Sequence, residues 1–392
     1  MSDASKSLLI KNGKVFNHDA RTFAVGDVLI EGGMAAKIAP SLTPAPSVPV
    51  LDARGKLVLP GLIDFHLHCF RHGQLLGVDV DELAPYSGTT CFVDAGSCGA
   101  INFVAFNEYV IKPSAVKIFA FLNVSALGQH SLGIKGIDSS EYDDERFLHI
   151  KAAEEVIANN PSSIIGVKAR MCAGLYSTAP LNRARELADA VGLPMMVHIG
   201  ENTVSLETVL SCLKEGDIVT HTYHGGKDGI LDDAGGIKPM VIEARDRGIL
   251  FDVGLDRVHS SFAVIGQALR QGFYPDFIST DLAMVNRHVT VDMPTTVSKF
   301  MALGLPLEEA VYRSTFTAAR KINRPGVSGV IQEGAVADIG IFELREGDFV
   351  FNETNGNSVT ASKKLVALTT IVDGVPMEKR ERVQKAPGFI AP

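Results

Sequence analysis

The chain has 392 residues and a mass of 41.9 kDa, with 46% hydrophobic and 21% charged residues. That is ample apolar material for a large core, and it excludes a small disulfide scaffold and a disordered or collagen-like chain. A formal net charge of −8, from 37 Lys plus Arg against 45 Asp plus Glu, argues against nucleic acid or an anionic membrane as the main partner.

The first fifty residues read as short strands, Leu8-Leu9-Ile10, Lys14-Val15-Phe16, Val28-Leu29-Ile30 and Ala36-Lys37-Ile38, with turns at Asn12-Gly13 and Gly32-Gly33. Four prolines within 40–49 mark a loop before a further strand at Leu57-Val58-Leu59, which places a boundary near residue 56. A βα rhythm follows. Eight apolar runs of strand length lie at 62–68, 89–95, 116–123, 164–170, 195–198, 218–221, 249–253 and 277–281. Segments of helical period fall between several of them, such as Phe147-Ile150-Ala153-Val156-Ile157 and Val204-Leu206-Val209-Leu210-Leu213. This alternation predicts an α/β fold, a (β/α)₈ TIM barrel, with a doubly wound open sheet as the competing topology. After helices over 305–322, short strands return at 337–342 and 365–372. They are expected to complete the amino-terminal module, giving a β-sandwich from residues 1–56 and 329–392 around a barrel at 57–328.

The five cysteines form no CxxC pair, and no charged-then-apolar leader opens the chain. A cytoplasmic location is therefore expected. No apolar run approaches the ~20 residues needed to span a bilayer, so no membrane partner is expected.

The chemistry lies at the strand ends. Strand one closes in His66-Leu67-His68, and side-chain alternation turns both imidazoles to one face. Strands four, five, six and eight end in Lys168, His198, His221 and Asp281. The carboxyl ends of barrel strands form the active-site face, so these six side chains should converge. Each alone has an ordinary explanation: a satisfied core histidine, a snorkelling lysine, a helix-capping aspartate. Together, four imidazoles and one carboxylate suit Zn²⁺ or a similar ion with open positions for water and substrate. Lys168 would repel two divalent cations as an ammonium, but carboxylation by CO₂ would make it a bridge between two metals about 3.5–4 Å apart.

The segment Pro60-Gly61-Leu62-Ile63-Asp64-Phe65-His66-Leu67-His68, with Lys168, His198, His221 and Asp281 in order, resembles the amidohydrolase superfamily over nearly the whole chain. The resemblance implies two divalent ions, one held by His66 and His68 and the other by His198 and His221, with carboxylated Lys168 between them and Asp281 as the strand-eight ligand. The strings 89–97, Phe121-Leu122-Asn123 and 278–282 are similar to the dihydroorotase-like deacetylase branch. That branch carries a Gly-His-Gly element after strand seven and a histidine soon after the strand-eight aspartate. Here the strings are Asp252-Val253-Gly254-Leu255-Asp256-Arg257 and Asp281-Leu282-Ala283-Met284, which puts the branch's substrate preference in question.

The expected activity is hydrolysis of a small amide or ester. The leading case is deacylation of an N-acyl amino acid or O-acyl hydroxy acid by a metal-bridging hydroxide, with Asp281 taking the proton and returning it to the leaving group. Arg170, Arg71, Tyr223 and Arg287 are candidate substrate contacts, the arginines for a substrate carboxylate, with His72, His224, Arg257 and His259 also near the expected mouth. Cys69 and Cys172 read as packed thiols, and the paired glycines as turns. The alternatives are a cyclic amide hydrolase of the dihydroorotase, hydantoinase or imidase kind, a mononuclear deaminase that needs no modified lysine, and a non-catalytic barrel scaffold. A homo-oligomer is compatible with each.

Overall fold

The computed structural model describes residues 6–130, 141–171, 177–200, 204–255, 259–353 and 355–379. In chain order its strands open with β1 (Leu8–Asn17), β2 (Thr22–Glu31), β3 (Met34–Ala39), β4 (Val50–Asp52) and β5 (Leu57–Pro60). The barrel strands follow: β6 (Leu62–Leu67), β7 (Thr89–Ala95), β8 (Lys117–Asn123), β9 (Ile164–Arg170), β10 (Met195–His198), β11 (Ile218–Thr220) and β12 (Leu250–Phe251). The chain ends with β13 (Ile339–Asn352), β14 (Ser358–Val372) and β15 (Val375–Pro376).

Strands β6 to β12 form one parallel sheet in sequential order. Every residue of β6, β7 and β9 is buried, as expected where helices cover the outside and side chains fill the inside of a curled parallel sheet. The inner cluster includes Ile63, Phe65, Val93, Phe121, Met196, Ile218 and Phe277, with Phe65 stacked on Phe277 at 4.2 Å between ring centroids. A larger cluster lies between the strands and helices such as Ile150–Asn159 and Ala179–Val191.

The eighth run, 277–281, is not a regular strand. Isolated bridges pair Asp252 with Phe277 and Leu67 with Leu282, and backbone N–H groups of Val253, Leu255, Asp281 and His68 complete the seam to Phe277, Ser279, His66 and Leu282. The seam joins the two ends of the sheet, so the ring is closed and the open doubly wound alternative is excluded. The seventh strand is likewise shorter than expected, Leu250–Phe251 in place of 249–253. Polar side chains, described below, take over hydrogen bonding where the ladder stops.

The terminal strands form one eight-stranded sheet, ordered β15-β14-β13-β5-β1-β2-β3 with β4 on β1, so the expected sandwich is realised as one continuously bonded sheet. Strand β5 lies beyond the expected boundary at 56 yet pairs with β1 and β13, because a short, wholly buried apolar run carries no mark of which sheet it joins. The β13–β14 hairpin also runs well past the expected 337–342 and 365–372. Much of its outer half is exposed, and charged pairs such as Glu346 with Lys363 interrupt the apolar positions that lead to buried Phe351.

Lys117, at the amino end of β8, ties barrel to sheet: its Nζ donates to Asp338 Oδ2 at 2.6 Å and Asp373 Oδ1 at 2.8 Å. Lys117→Ala strands the largely buried Asp338 and is expected to cost about 3 kcal/mol. Urea denaturation checks this, and an unchanged midpoint would contradict it.

Candidate metal centre

The six expected side chains are all buried at one mouth of the barrel. His66 lies in β6 and His68 just beyond it, Lys168 in β9, His198 at the end of β10, His221 one residue past β11, and Asp281 in the closing seam. A register shift between Asp64–Phe92 and Leu67–Asp94 inserts one residue into β6. Such a bulge reverses the alternation, which lets Phe65 join the inner core while His66 and His68 still face the mouth.

Asp281 Oδ1 lies 3.2 Å from His66 Nε2 and 3.3 Å from His68 Nε2, and its Oδ2 lies 4.0 Å from His221 Nε2. Ligand atoms of His66, His68 and Asp281 all fall within 4.8 Å of one another. The Oδ1 approach lacks hydrogen-bond geometry, so these atoms converge on a common point rather than bond to each other. The His221 ring sits 5.0 Å from His66 and 4.1 Å from His198 between centroids. Lys168 is close enough for its charge to act on His66, His198 and His221 alike.

The surrounding hydrogen bonds orient the rings as a metal requires. His66 Nδ1 lies 3.0 Å from Asp252 Oδ2, His68 Nδ1 2.9 Å from Ser97 Oγ, and His221 Nδ1 2.9 Å from the Gly254 carbonyl. Donation to the carboxylate and the carbonyl fixes the proton on Nδ1 of His66 and His221 and leaves Nε2 as a lone-pair donor. Nε2 of His198 is buried with no hydrogen-bond partner among the described residues. Burial, reinforced for His198 by the His221 and His259 rings, holds both His198 and His221 neutral far below the usual imidazole range; for His221 it outweighs the pull of Asp281. Burial also acts to raise Asp281, but the charge and close approach of His66, with the approach of His68, hold it well below the usual carboxylate range. A buried set of imidazoles around an ionised carboxylate fits a divalent ion.

Lys168 is the exception in charge. Its Nζ has Met196 Sδ at 3.4 Å as its hydrogen-bond partner among the described residues, and burial pushes the amine down to about 7 against the opposing pull of Asp281 and Asp252. Its side chain runs where a Cβ on Gly96, at φ +90°, would lie 2.5 Å from Lys168 Cγ, so that position requires glycine. His221 and Asp281 themselves have φ of +65° and +48°. Left-handed backbone at two non-glycine residues of one site is the strain that functional positions retain.

Sequence reasoning missed the residues that hold this constellation. Asp252 accepts from Ser279 Oγ at 2.6 Å and Thr220 Oγ1 at 2.7 Å besides facing His66. Asp64 accepts from Thr280 through its backbone N at 3.0 Å and its hydroxyl at 2.5 Å. Asp94 takes the backbone N–H groups of Cys69 and Ser97. The available signal was a carboxylate inside or at the end of an otherwise apolar strand run, where an unpaired charge is expensive.

Several expected substrate contacts are engaged elsewhere. Arg170 Nη1 donates to both carboxylate oxygens of buried Glu141, at 2.8 and 2.9 Å. Arg71 pairs with Asp79 and lies 3.5 Å from Glu82. Tyr223 is a core residue: it is wholly buried, packs on Phe273, and donates its hydroxyl to the Phe273 carbonyl at 3.2 Å. His224 is buried, accepts from Gly226 N, and is pushed by burial down to about 4. His259 packs on the rings of both His198 and His221, with centroids 4.5 and 4.7 Å away. Arg287 opens a short exposed turn of helix after the seam, with Met284 Sδ at 3.7 Å. His72 lies with Arg71 along a cavity of about 520 Å³. Cys69 is buried and its thiol is driven far up by burial, so it is no nucleophile. Arg257 and Cys172 lie outside the described residues.

A closed (β/α)₈ barrel with a buried imidazole–carboxylate cluster at its mouth is the architecture of a metal-assisted hydrolase. The chain belongs to the amidohydrolase family, whose profile matches residues 57–377. It is 30% identical over 365 residues to a deacetylase of Brucella anthropi, covering 91% of this chain and 89% of that one. It is 31% identical to a deacetylase of Agrobacterium fabrum, covering 86% and 83%. A structure described as a dihydroorotase superposes with a TM-score of 0.85 at 28% identity, covering 95% of this chain and 97% of that one. A structure described as an adenine deaminase also gives 0.85, at 27% identity, covering 95% and 99%. The protein is thus a hydrolytic enzyme of this family, and no helix among its described residues is long and apolar enough to cross a membrane.

Because Asp252 orients His66, Asp252→Asn is expected to weaken zinc binding about 10–100-fold without unfolding the chain. Competition with a chromogenic chelator measures this; unaltered affinity would remove Asp252 from the metal site.

Proposed function

We propose that the protein is a dinuclear zinc deacylase that releases the acyl group from an N-acyl amino acid or O-acyl hydroxy acid, with carboxylated Lys168 joining the His66/His68 and His198/His221 halves of the site. The observation that carries the reading is the convergence of Asp281 Oδ1 on two Nε2 atoms without hydrogen-bond geometry, beside an unpartnered buried His198 Nε2. Two bound divalent ions would supply a water acidic enough to attack near neutral pH and would polarise the acyl carbonyl.

The chain's own residues do the rest. Asp281, ionised in its nest of imidazoles, accepts the proton of the attacking water and passes it to the departing amine or alkoxide. Asp252 and the Gly254 carbonyl keep His66 and His221 in the tautomer that presents Nε2. An amine depressed to about 7 is largely neutral above that pH and so able to add to CO₂, and a carbamate gives this buried lysine the negative charge a two-cation site calls for. With Arg170 and Arg71 paired to carboxylates, Arg287 is the anchor we assign to a substrate carboxylate.

The two deacetylase relatives, each aligned over most of both chains, support acyl transfer to water as the reaction. The dihydroorotase likeness keeps ring opening of a cyclic amide as a second reading with the same site chemistry. The buried Lys168 weighs against a mononuclear deaminase, which would leave that amine without a purpose.

Zinc-loaded protein prepared with bicarbonate should hydrolyse members of a panel of N-acyl and O-acyl acids of both configurations, in preference to cyclic imides. Asp281→Asn should then lower kcat about 10²–10⁴-fold with the fold retained. Near-normal turnover would overturn the proton-carrier role. Carbon-13 NMR of protein prepared in labelled bicarbonate should show a carbamate resonance that is absent in Lys168→Ala; no difference between the two would refute the bridge.

A further inference from the structure

Asp281 occupies the left-handed backbone region, at φ +48°, which few residues other than glycine adopt, and hydrogen bonds hold it there. Its N–H donates to the His66 carbonyl at 2.7 Å, and its own carbonyl accepts Asn286 Nδ2 at 2.8 Å. Asn286 is fully buried, five residues along the chain in a loop whose neighbours Val285, Arg287 and His288 are exposed. Its Oδ1 accepts the N–H of Ala283 at 2.8 Å, while its backbone carbonyl accepts Val289 and Thr290 N–H at 2.9 and 3.0 Å. The loop is therefore wound around one amide side chain, whose two ends perform different tasks: the oxygen closes the turn and the NH₂ fixes Asp281.

We propose that Asn286 is a positioning residue for Asp281, holding its carboxylate in the geometry that meets His66 and His68. This deepens the proposed function and rests on Asp281 being a metal ligand. A residue serving only the turn would need the oxygen alone. The NH₂ bond to a main-chain carbonyl at φ +48° is the feature that ties it to the site.

The test is a double-mutant cycle on zinc affinity, read by chelator competition and independent of any substrate. In the native chain, Asn286→Asp keeps the acceptor for Ala283 but sets an oxygen against the Asp281 carbonyl, and should weaken zinc binding about tenfold. In an Asp281→Asn background the same change should cost less than about twofold, since the group it acts through has been altered. Asn286→Ser, which is too short to reach the Asp281 carbonyl, should repeat the pattern without added charge. Equal losses in both backgrounds, no loss in either, or an unfolded Asn286→Ser protein would overturn the proposal. For any acyl acid found to be cleaved, Asn286→Ser should lower kcat with KM little changed. If no member of the panel is cleaved, the proposed function falls while the zinc cycle still decides the role of Asn286.

Discussion

The constraint that governs this molecule is the burial of one ionised carboxylate among imidazoles, of which burial keeps His198 and His221 neutral. Removing Asp281 from water penalises its charge, and the close approach of His66 and His68 reverses that penalty. Those rings can do so only if their tautomers and directions are set from behind, which is the task of Asp252, Ser97 and the Gly254 carbonyl. The barrel mouth is thus a shell of hydrogen-bonded supports around a small group of donors aimed at one another. Such a group is costly without a cation and favourable with one.

The same supports explain how the barrel closes. Between β12 and β6 the eighth segment has bridges in place of a ladder, and two buried carboxylates compensate from either side. Asp64 from β6 holds Thr280, and Asp252 from the end of the seventh run holds Ser279. Because Asp252 also faces His66, the seam and the first histidine share one anchor. A seam held by side chains at defined atoms, instead of by a uniform ladder, can carry the left-handed turn at Asp281 that a regular strand would forbid.

Seven barrel strands, and the six side chains that are buried at the barrel mouth, were legible in the sequence, for a physical reason. A parallel strand buried on both faces is a continuous apolar run, and a polar residue closing such a run stands out. The runs 62–68, 164–170 and 218–221 made His66, Lys168 and His221 visible in this way. The eighth strand was read as regular because 277–281 has strand-like composition, whereas its hydrogen bonds go to Asp64 and Asp252, partners 216 and 27 residues away. The outer half of the β13–β14 hairpin escaped because exposed residues such as Arg345, Glu346, Asp348 and Lys363 break up its apolar positions.

Substrate contacts were the least legible part, and the arginines show why. An arginine at a strand end signals either an anion from solution or a carboxylate from elsewhere in the fold, and sequence spacing does not separate the two. Arg170 meets Glu141, which lies across a loop 29 residues earlier, and Arg71 meets Asp79 at the start of the next helix. The Arg170 pairing removes a cation from the pool available to a ligand, because a buried guanidinium bonded to both oxygens of a carboxylate is costly to separate from it, and Arg71 is engaged at a more exposed pair. Arg287 differs in standing on a short exposed segment fastened directly to the seam that carries Asp281. The distance between the reacting carbonyl and a substrate's carboxylate would then be set by the four residues of chain between Asp281 and Asn286. On that view selectivity among acyl acids is a property of this short loop, while the chemistry belongs to the barrel that holds it.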